Sequence, residues 1–196
     1  LAGDRKYDAA DMSRIFDGII NDGVFMSIGT SFIVTASEEM TVLVGIGRAW
    51  LNSTWTHNDS IMSITLDESD LLMDRIDAVV IEVNRNDNVR KNDIKVVNGV
   101  PSLEPVRPTL QKDTNVFQYP LAYIYVKKTA TTITQANITN MVGTSECPFV
   151  TGILDTMNID ALIAQWNAQW SEWKTAIEND NKSWSQTTRD GFTNEM

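Results

Sequence analysis

From residue 159 onward the apolar side chains fall at Ile159, Ile163, Trp166, Trp170, Trp173, Ile177 and Trp184, in alternating steps of four and three, with Asp180 filling one slot. That is the a/d rhythm of a heptad repeat. Little apolar sequence lies off the seam, chiefly Leu162, Ala164 and Ala168. A seam this narrow and aromatic cannot be buried by its own helix and needs another helix or a protein surface. A core helix folded back on the globular part would share the spacing over a few turns, but would carry a wider apolar face. The pattern predicts a helix from Asn158 to Trp184, about 40 Å long at about 1.5 Å per residue, capped by Asn158 or Thr156.

Ahead of that helix the pattern is mostly strand-like. Asp8 opens a short helix in which Met12, Ile15, Phe16, Ile19 and Ile20 share one face, and Asn21-Asp22-Gly23 stops it. Val24 to Ala36 is rich in β-branched and aromatic residues and is broken at Gly29. Met40–Val44 and Arg48–Leu51 read as strands about a Gly45-Ile46-Gly47 turn, with a further turn at Asn58-Asp59. Ile61 to Leu66 alternates as a half-buried strand does, and Asp67 to Asp74 is an acidic loop with a turn of helix at Leu71-Leu72-Met73. Asp77–Asn84 is the clearest buried strand. It turns at Asn86-Asp87-Asn88 and returns over Lys95–Val97. Pro101, Pro105 and Pro108 hold an extended surface segment, because proline cannot donate to a ladder. Tyr119–Val126 is a strong strand, Ile133–Met141 a short strand or helix, and Gly143–Leu154 a connector.

The sum is an α+β chain, mainly antiparallel β. It predicts a sandwich-like or partly open barrel domain with a short N-terminal helix, followed by a long coiled-coil-type C-terminal helix. The division falls near residue 150, with a β-rich domain over 1–150 and a connector and helical stem over 151–196.

Composition narrows the function classes. The 196 residues carry a net charge of −10 and are 42% hydrophobic. The acidity argues against a nucleic-acid surface or a polybasic membrane patch, since both need clustered Lys and Arg. No apolar run approaches a membrane span, and no signal peptide is visible. The Asn-X-Ser/Thr matches at Asn52, Asn58 and Asn137 are therefore chance. The single Cys147 cannot form an internal disulfide and reads as a small buried hydrophobe.

No catalytic constellation emerges, and the expectation is of a protein that is not an enzyme and uses no cofactor. The one histidine, His57, sits beside a predicted turn, and one His with one Cys falls short of a typical zinc site. Asp67, Glu68, Asp70 and Asp74 cluster without calcium-loop spacing and read as a solvated turn. Gly45-Ile46-Gly47 lacks the third glycine and the following helix of a phosphate loop. Trp50 and Trp55, with Asn52 and Asn58 nearby, offer an aromatic platform. Trp50 reads as core, which leaves Trp55, His57 and Asn58 as the candidate saccharide-contacting residues.

Three stretches in order carry a resemblance. The first runs from Gly3-Asp4-Arg5-Lys6-Tyr7-Asp8-Ala9-Ala10-Asp11-Met12 through Phe16-Asp17-Gly18 to Asn21-Asp22-Gly23-Val24-Phe25. The second is Met40-Thr41-Val42 with Gly47-Arg48-Ala49-Trp50-Leu51-Asn52. The third is Arg75-Ile76-Asp77, then Gly99-Val100-Pro101, Pro105 and Pro108, Leu121-Ala122-Tyr123-Ile124-Tyr125-Val126 and Ile133-Thr134-Gln135-Ala136-Asn137-Ile138. Followed by Thr151-Gly152-Ile153-Leu154 and an aromatic helix, they resemble the N-terminal domain of tail-tip proteins of phages and prophages of Gram-positive bacteria, namely upper baseplate proteins and receptor-binding-fibre adaptors.

The resemblance implies a virion structural protein of the viral tail, assembled in the bacterial host cytoplasm, whose β domain docks on the tail hub and whose helix leads to a host-attachment stem. It implies as partners further copies of itself, tail hub or baseplate proteins and a separate receptor-binding protein, with neither nucleic acid nor membrane. It supplies no catalytic residues. The alternative is a carbohydrate-binding module for host cell-wall saccharide. The absence of an initiating Met, and the spacing of Phe192 and Met196, lead to the expectation that the mature protein continues past Met196 into a host-facing region.

Overall fold

The computed structural model describes residues 15–16, 19–152 and 159–193. The chain divides into two compact units, 1–152 and 153–196.

The described residues of the first unit form three open antiparallel sheets. Strands β1 (Gly23–Val24), β4 (Gly47–Leu51) and β5 (Thr54–Asn58) form one, in the order β1-β4-β5. Strands β2 (Val34–Ala36), β3 (Thr41–Val44) and β6 (Met62–Thr65) form the second, β2-β3-β6. Strands β7 (Arg75–Asn84), β8 (Lys91–Val97), β9 (Val116–Val126) and β10 (Ile138–Asn140) form the third, β10-β9-β7-β8. None closes into a barrel, so the fold is β-rich with open sheets.

The long strands are the most apolar and occupy the centre. In β7, Ala78, Val79, Val80, Ile81 and Val83 are all buried, so both of its faces are covered. Such a strand reads as a continuous apolar run rather than an alternation. Its partner β9 carries Pro120 in mid-strand. The register slips there, from Val79 opposite Ala122 to Val80 opposite Pro120. A bulge is where a strand tolerates a residue that cannot donate. The smaller sheets alternate. In β3, Val42 and Val44 point into the core while Thr41 and Leu43 point out.

Three pieces of the sequence pattern resolve differently. Val24–Ala36 is not one strand broken at Gly29. It is β1 and β2 joined by turns, with Ser31 and Phe32 both at positive φ (53° and 58°). Thr54–Asn58, which the pattern leaves unassigned ahead of the predicted Asn58-Asp59 turn, is strand β5. It pairs with β4 across a two-residue turn at Asn52 and Ser53, whose φ values are 48° and 57°. Ile133–Met141 contains both elements, a 3₁₀ turn at Gln135–Asn137 and then β10. Leu71 and Leu72 form bends, not a helical turn.

The expected connector from Gly143 belongs to the β domain as far as Gly152. Val24 donates its N–H to the Pro148 carbonyl at 2.8 Å and accepts from the Val150 N–H at 2.9 Å, and Asn21 N–H donates to the Thr151 carbonyl at 2.9 Å. This clasp needs Gly23, where a Cβ would sit 2.5 Å from the Phe149 carbonyl carbon. Most of the predicted N-terminal helix, and the predicted caps Thr156 and Asn158, lie outside the described residues. Of the described part, Ile19 N–H donates to the Phe16 carbonyl in a turn, and Ile20 bridges to Gly152.

The second unit contains helix α1, Ile159–Thr193. Its 35 residues span about 52 Å at about 1.5 Å per residue. No described helix is apolar enough to cross a membrane.

Candidate functional site

The apolar stripe lies along α1. Every described side chain from Ile163 to residue 186 is exposed. Trp166 and Trp184 are each 71% exposed, and Ile163, Trp170, Trp173 and Ile177 are exposed as well. Ile159 opens the helix, and its side chain lies outside the described ones. The indoles of Trp170 and Trp173 touch, with centroids 4.9 Å apart at 37°. Residues three apart share a helix face, so this contact makes the stripe continuous through its middle.

A Trp, Tyr or Phe side chain offers about 150–250 Å². At about 25 cal/mol per Å² each buried indole is worth about 4–6 kcal/mol. The Lys174–Glu178 pair at 4.0 Å is of the exposed kind, worth a few tenths of a kcal/mol. The stripe is thus an exposed apolar surface along the helix.

The second group lies on the sheet β1-β4-β5. Trp50 and Trp55 are directly opposite each other, as are Arg48 and His57, and such pairs share one face. Ala49, Leu51 and Thr56 face the core instead. Trp55 is 49% exposed and meets Phe25 at 5.4 Å, while Phe16 meets the edge of half-buried Trp50 at 5.5 Å. Trp50 is therefore part of an outward aromatic row, not of the core. Arg48 pairs with Asp59, and His57 Nε2 lies 3.6 Å from the same carboxylate. Asn58 sits apart from these two. Its amide nitrogen donates to the carbonyls of Gly45 at 2.9 Å and Val44 at 3.4 Å, closing the β3–β4 turn. The structure thus brings Trp55 and His57 together and gives Asn58 a turn-holding role.

The acidic loop is organised by separate partners. Arg75 donates to the Asp67 and Glu68 carbonyls at 2.7 and 2.6 Å and to both carboxylate oxygens of Asp77 at 3.0 Å. Asp70 accepts from the Leu72 and Met73 amides, which hold its carboxyl below the usual range. Asp74 accepts from the Tyr125 hydroxyl and the Lys128 amide, and is held low by them in that order. Among the described residues no three His, Cys, Asp or Glu side chains gather as metal ligands.

Sequence reasoning missed Phe16 and Phe25 as partners of the two tryptophans, because their contacts cross between segments far apart in sequence. It also missed the exposed aliphatics Val100, Leu103 and Val106. The prolines around them signalled the extended chain but not which way its side chains face. No family model, curated protein or solved structure matches the chain.

Proposed function

We propose that this chain is a structural component of a phage tail baseplate or tail fibre, docking on the tail hub through its β domain and assembling with further copies through α1 as a coiled coil. The observation that carries the reading is the exposed tryptophan–isoleucine seam of α1, which burial against another helix would stabilise by several kcal/mol. The order of the three sequence stretches supplies the tail setting. In the virion, a separate receptor-binding protein completes host attachment. Sedimentation of the full chain against a chain ending at Gly152 tests the assembly half. The full chain is expected to sediment as an oligomer and the truncation as a monomer; an oligomeric truncation, or a monomeric full chain, refutes it. Labelling of the tail tip with an antibody to this chain, seen by electron microscopy, tests the location.

A second reading, a saccharide-binding module, draws on the outward Trp55 with His57 beside it. A stacked sugar ring would use the indole face, and the imidazole would hydrogen-bond a hydroxyl. A glycan array probed with the full chain and with Trp55→Ala separates the readings, because only this one expects binding that is lost in the variant.

A further inference from the structure

Asn98-Gly99 follows strand β8 and is the sole Asn-Gly pair in the sequence. In a free chain such a pair is reactive. The main-chain nitrogen after an asparagine attacks that residue's own side-chain carbonyl, and glycine, with no Cβ and wide backbone freedom, hinders the approach least. Here the new bond would join the Gly99 nitrogen to Asn98 Cγ. The Cγ–Nδ2 bond breaks, and ammonia leaves with the proton that the Gly99 nitrogen gave up. Water then opens the five-membered imide at either of its carbonyl carbons. One opening leaves an aspartate at position 98. The other leaves an isoaspartate, whose main chain runs through the former side chain.

The fold requires glycine at this place and restrains both reacting groups. Gly99 is buried against β7, where a Cβ would sit 2.1 Å from the Ile76 carbonyl oxygen. Its N–H, the proton the nucleophile must lose, donates to buried Asp77 at 2.9 Å. Arg75 Nε holds both oxygens of that carboxylate at 3.0 Å, and an adjacent guanidinium makes a carboxylate a poorer base. Taking the amide proton would also set a second negative charge beside Asp77. Attack therefore needs the Gly99 nitrogen to leave Asp77. The Asn98 side chain is exposed, but its amide donates to the Asp67 carboxylate, which fixes its orientation.

We propose that Asn98 is a deamidation site held closed by folding, with Asp77 latching the nucleophile and Asp67 latching the amide. The native pair stays intact, and the reaction runs when the end of β8 opens. Neither product restores the native contacts. A carboxylate at position 98 loses the donor to Asp67 and faces it with a like charge. The isoaspartyl product also lengthens the main chain by one methylene just before Gly99. That shift moves the Gly99 N–H off Asp77 and leaves a buried acceptor short of a partner. Opening is thus written into the covalent structure, and a domain modified while open closes less stably.

Peptide mapping of the full chain by mass spectrometry tests this, after incubation in mildly alkaline buffer with and without guanidinium chloride. The conversion of amide to acid at Asn98 is followed by mass, and the isoaspartyl product by enzymatic methylation of the same peptide. Conversion in the native chain is expected to be at least roughly tenfold slower than in denaturant, the factor that one charge-assisted hydrogen bond supplies. Equal rates overturn the inference. Hydrogen exchange at the Gly99 amide of the wild-type chain checks the first latch: slow exchange is expected, and exchange at the free-chain rate overturns it. Asp67→Ala removes an exposed carboxylate and leaves the Asp77 contacts in place. It is expected to stay folded and to deamidate several-fold faster than wild type, and a folded variant with an unchanged rate overturns the second latch. Asn98→Asp stands in for the simpler product. Its denaturant midpoint is expected to fall below that of wild type, and an equal or higher midpoint overturns the claim that modification weakens the closed domain.

Discussion

Asp77 is wholly buried, and it joins the first turn of β7 to two loops through Arg75 and the Gly99 amide. Asp77→Ala would leave the buried Arg75 guanidinium without its counter-charge, and is expected to cost about 3–5 kcal/mol, read as a lower denaturant midpoint. Asp74 governs behaviour in acid. Because the Tyr125 hydroxyl and Lys128 amide hold its folded pKa below the ordinary value, the folded state binds fewer protons than the unfolded one. The stabilisation is therefore complete above the unfolded pKa of about 4 and drains as the pH falls through the folded value. Denaturant midpoints measured from neutral pH down into acid should fall below about pH 4, and Asp74→Asn should flatten that limb. Glu82 acts in the same direction. Burial raises its pKa, but Lys95 and Gln118 outweigh the burial and lower it. None of these roles was legible in the sequence. Arg75, Asp74 and Asp77 are plain polar letters beside an apolar run, and their partners lie up to 54 residues away.

At the scale of elements, α1 and the two central strands were the most legible. A run such as Ala78–Val83 leaves a strand few alternatives, and apolar residues in steps of three and four from Ile159 to Trp184 mark a helix. The β4–β5 hairpin was missed for a specific reason. Its turn residues, Asn52 and Ser53, both adopt positive φ, as a type I′ turn requires, but glycine, the usual marker in second place, is absent. Strand β5 is also polar, with Thr54, Thr56 and His57 around one tryptophan. Ser53→Gly is accordingly expected to stabilise the domain by up to about 1 kcal/mol, since a non-glycine residue in the left-handed region pays roughly that much; thermal unfolding would show it. In α1, Trp170→Glu with Trp173→Glu places charge at the centre of the seam. If copies associate through α1 as proposed, it should dissociate them while leaving the β domain's unfolding midpoint unchanged, readable by sedimentation and denaturation on one sample.

Taken as a whole, the β domain shields its one thiol. Cys147 is fully buried, and burial pushes its pKa up to about 12. Maleimide labelling at neutral pH should therefore be negligible in the native protein and proceed at the rate of domain opening. A competing result, rapid labelling without denaturant, would mean that the segment around Cys147 opens on its own. That segment leads directly into the clasp of residues 148–152 on Ile20–Val24, and the clasp has a mechanical meaning. Tension pulling on α1 enters the β domain at Gly152, so it loads the hydrogen bonds from Asn21 and Val24 before any central strand. Under a steady pull the clasp is a fuse. It should part first, releasing roughly five residues of chain at about 3.5 Å each, while β7 and β9 stay paired. Force spectroscopy would see a short, reversible extension ahead of the main rupture, and Gly23→Ala, which crowds the Phe149 backbone, should lower the force at which it appears.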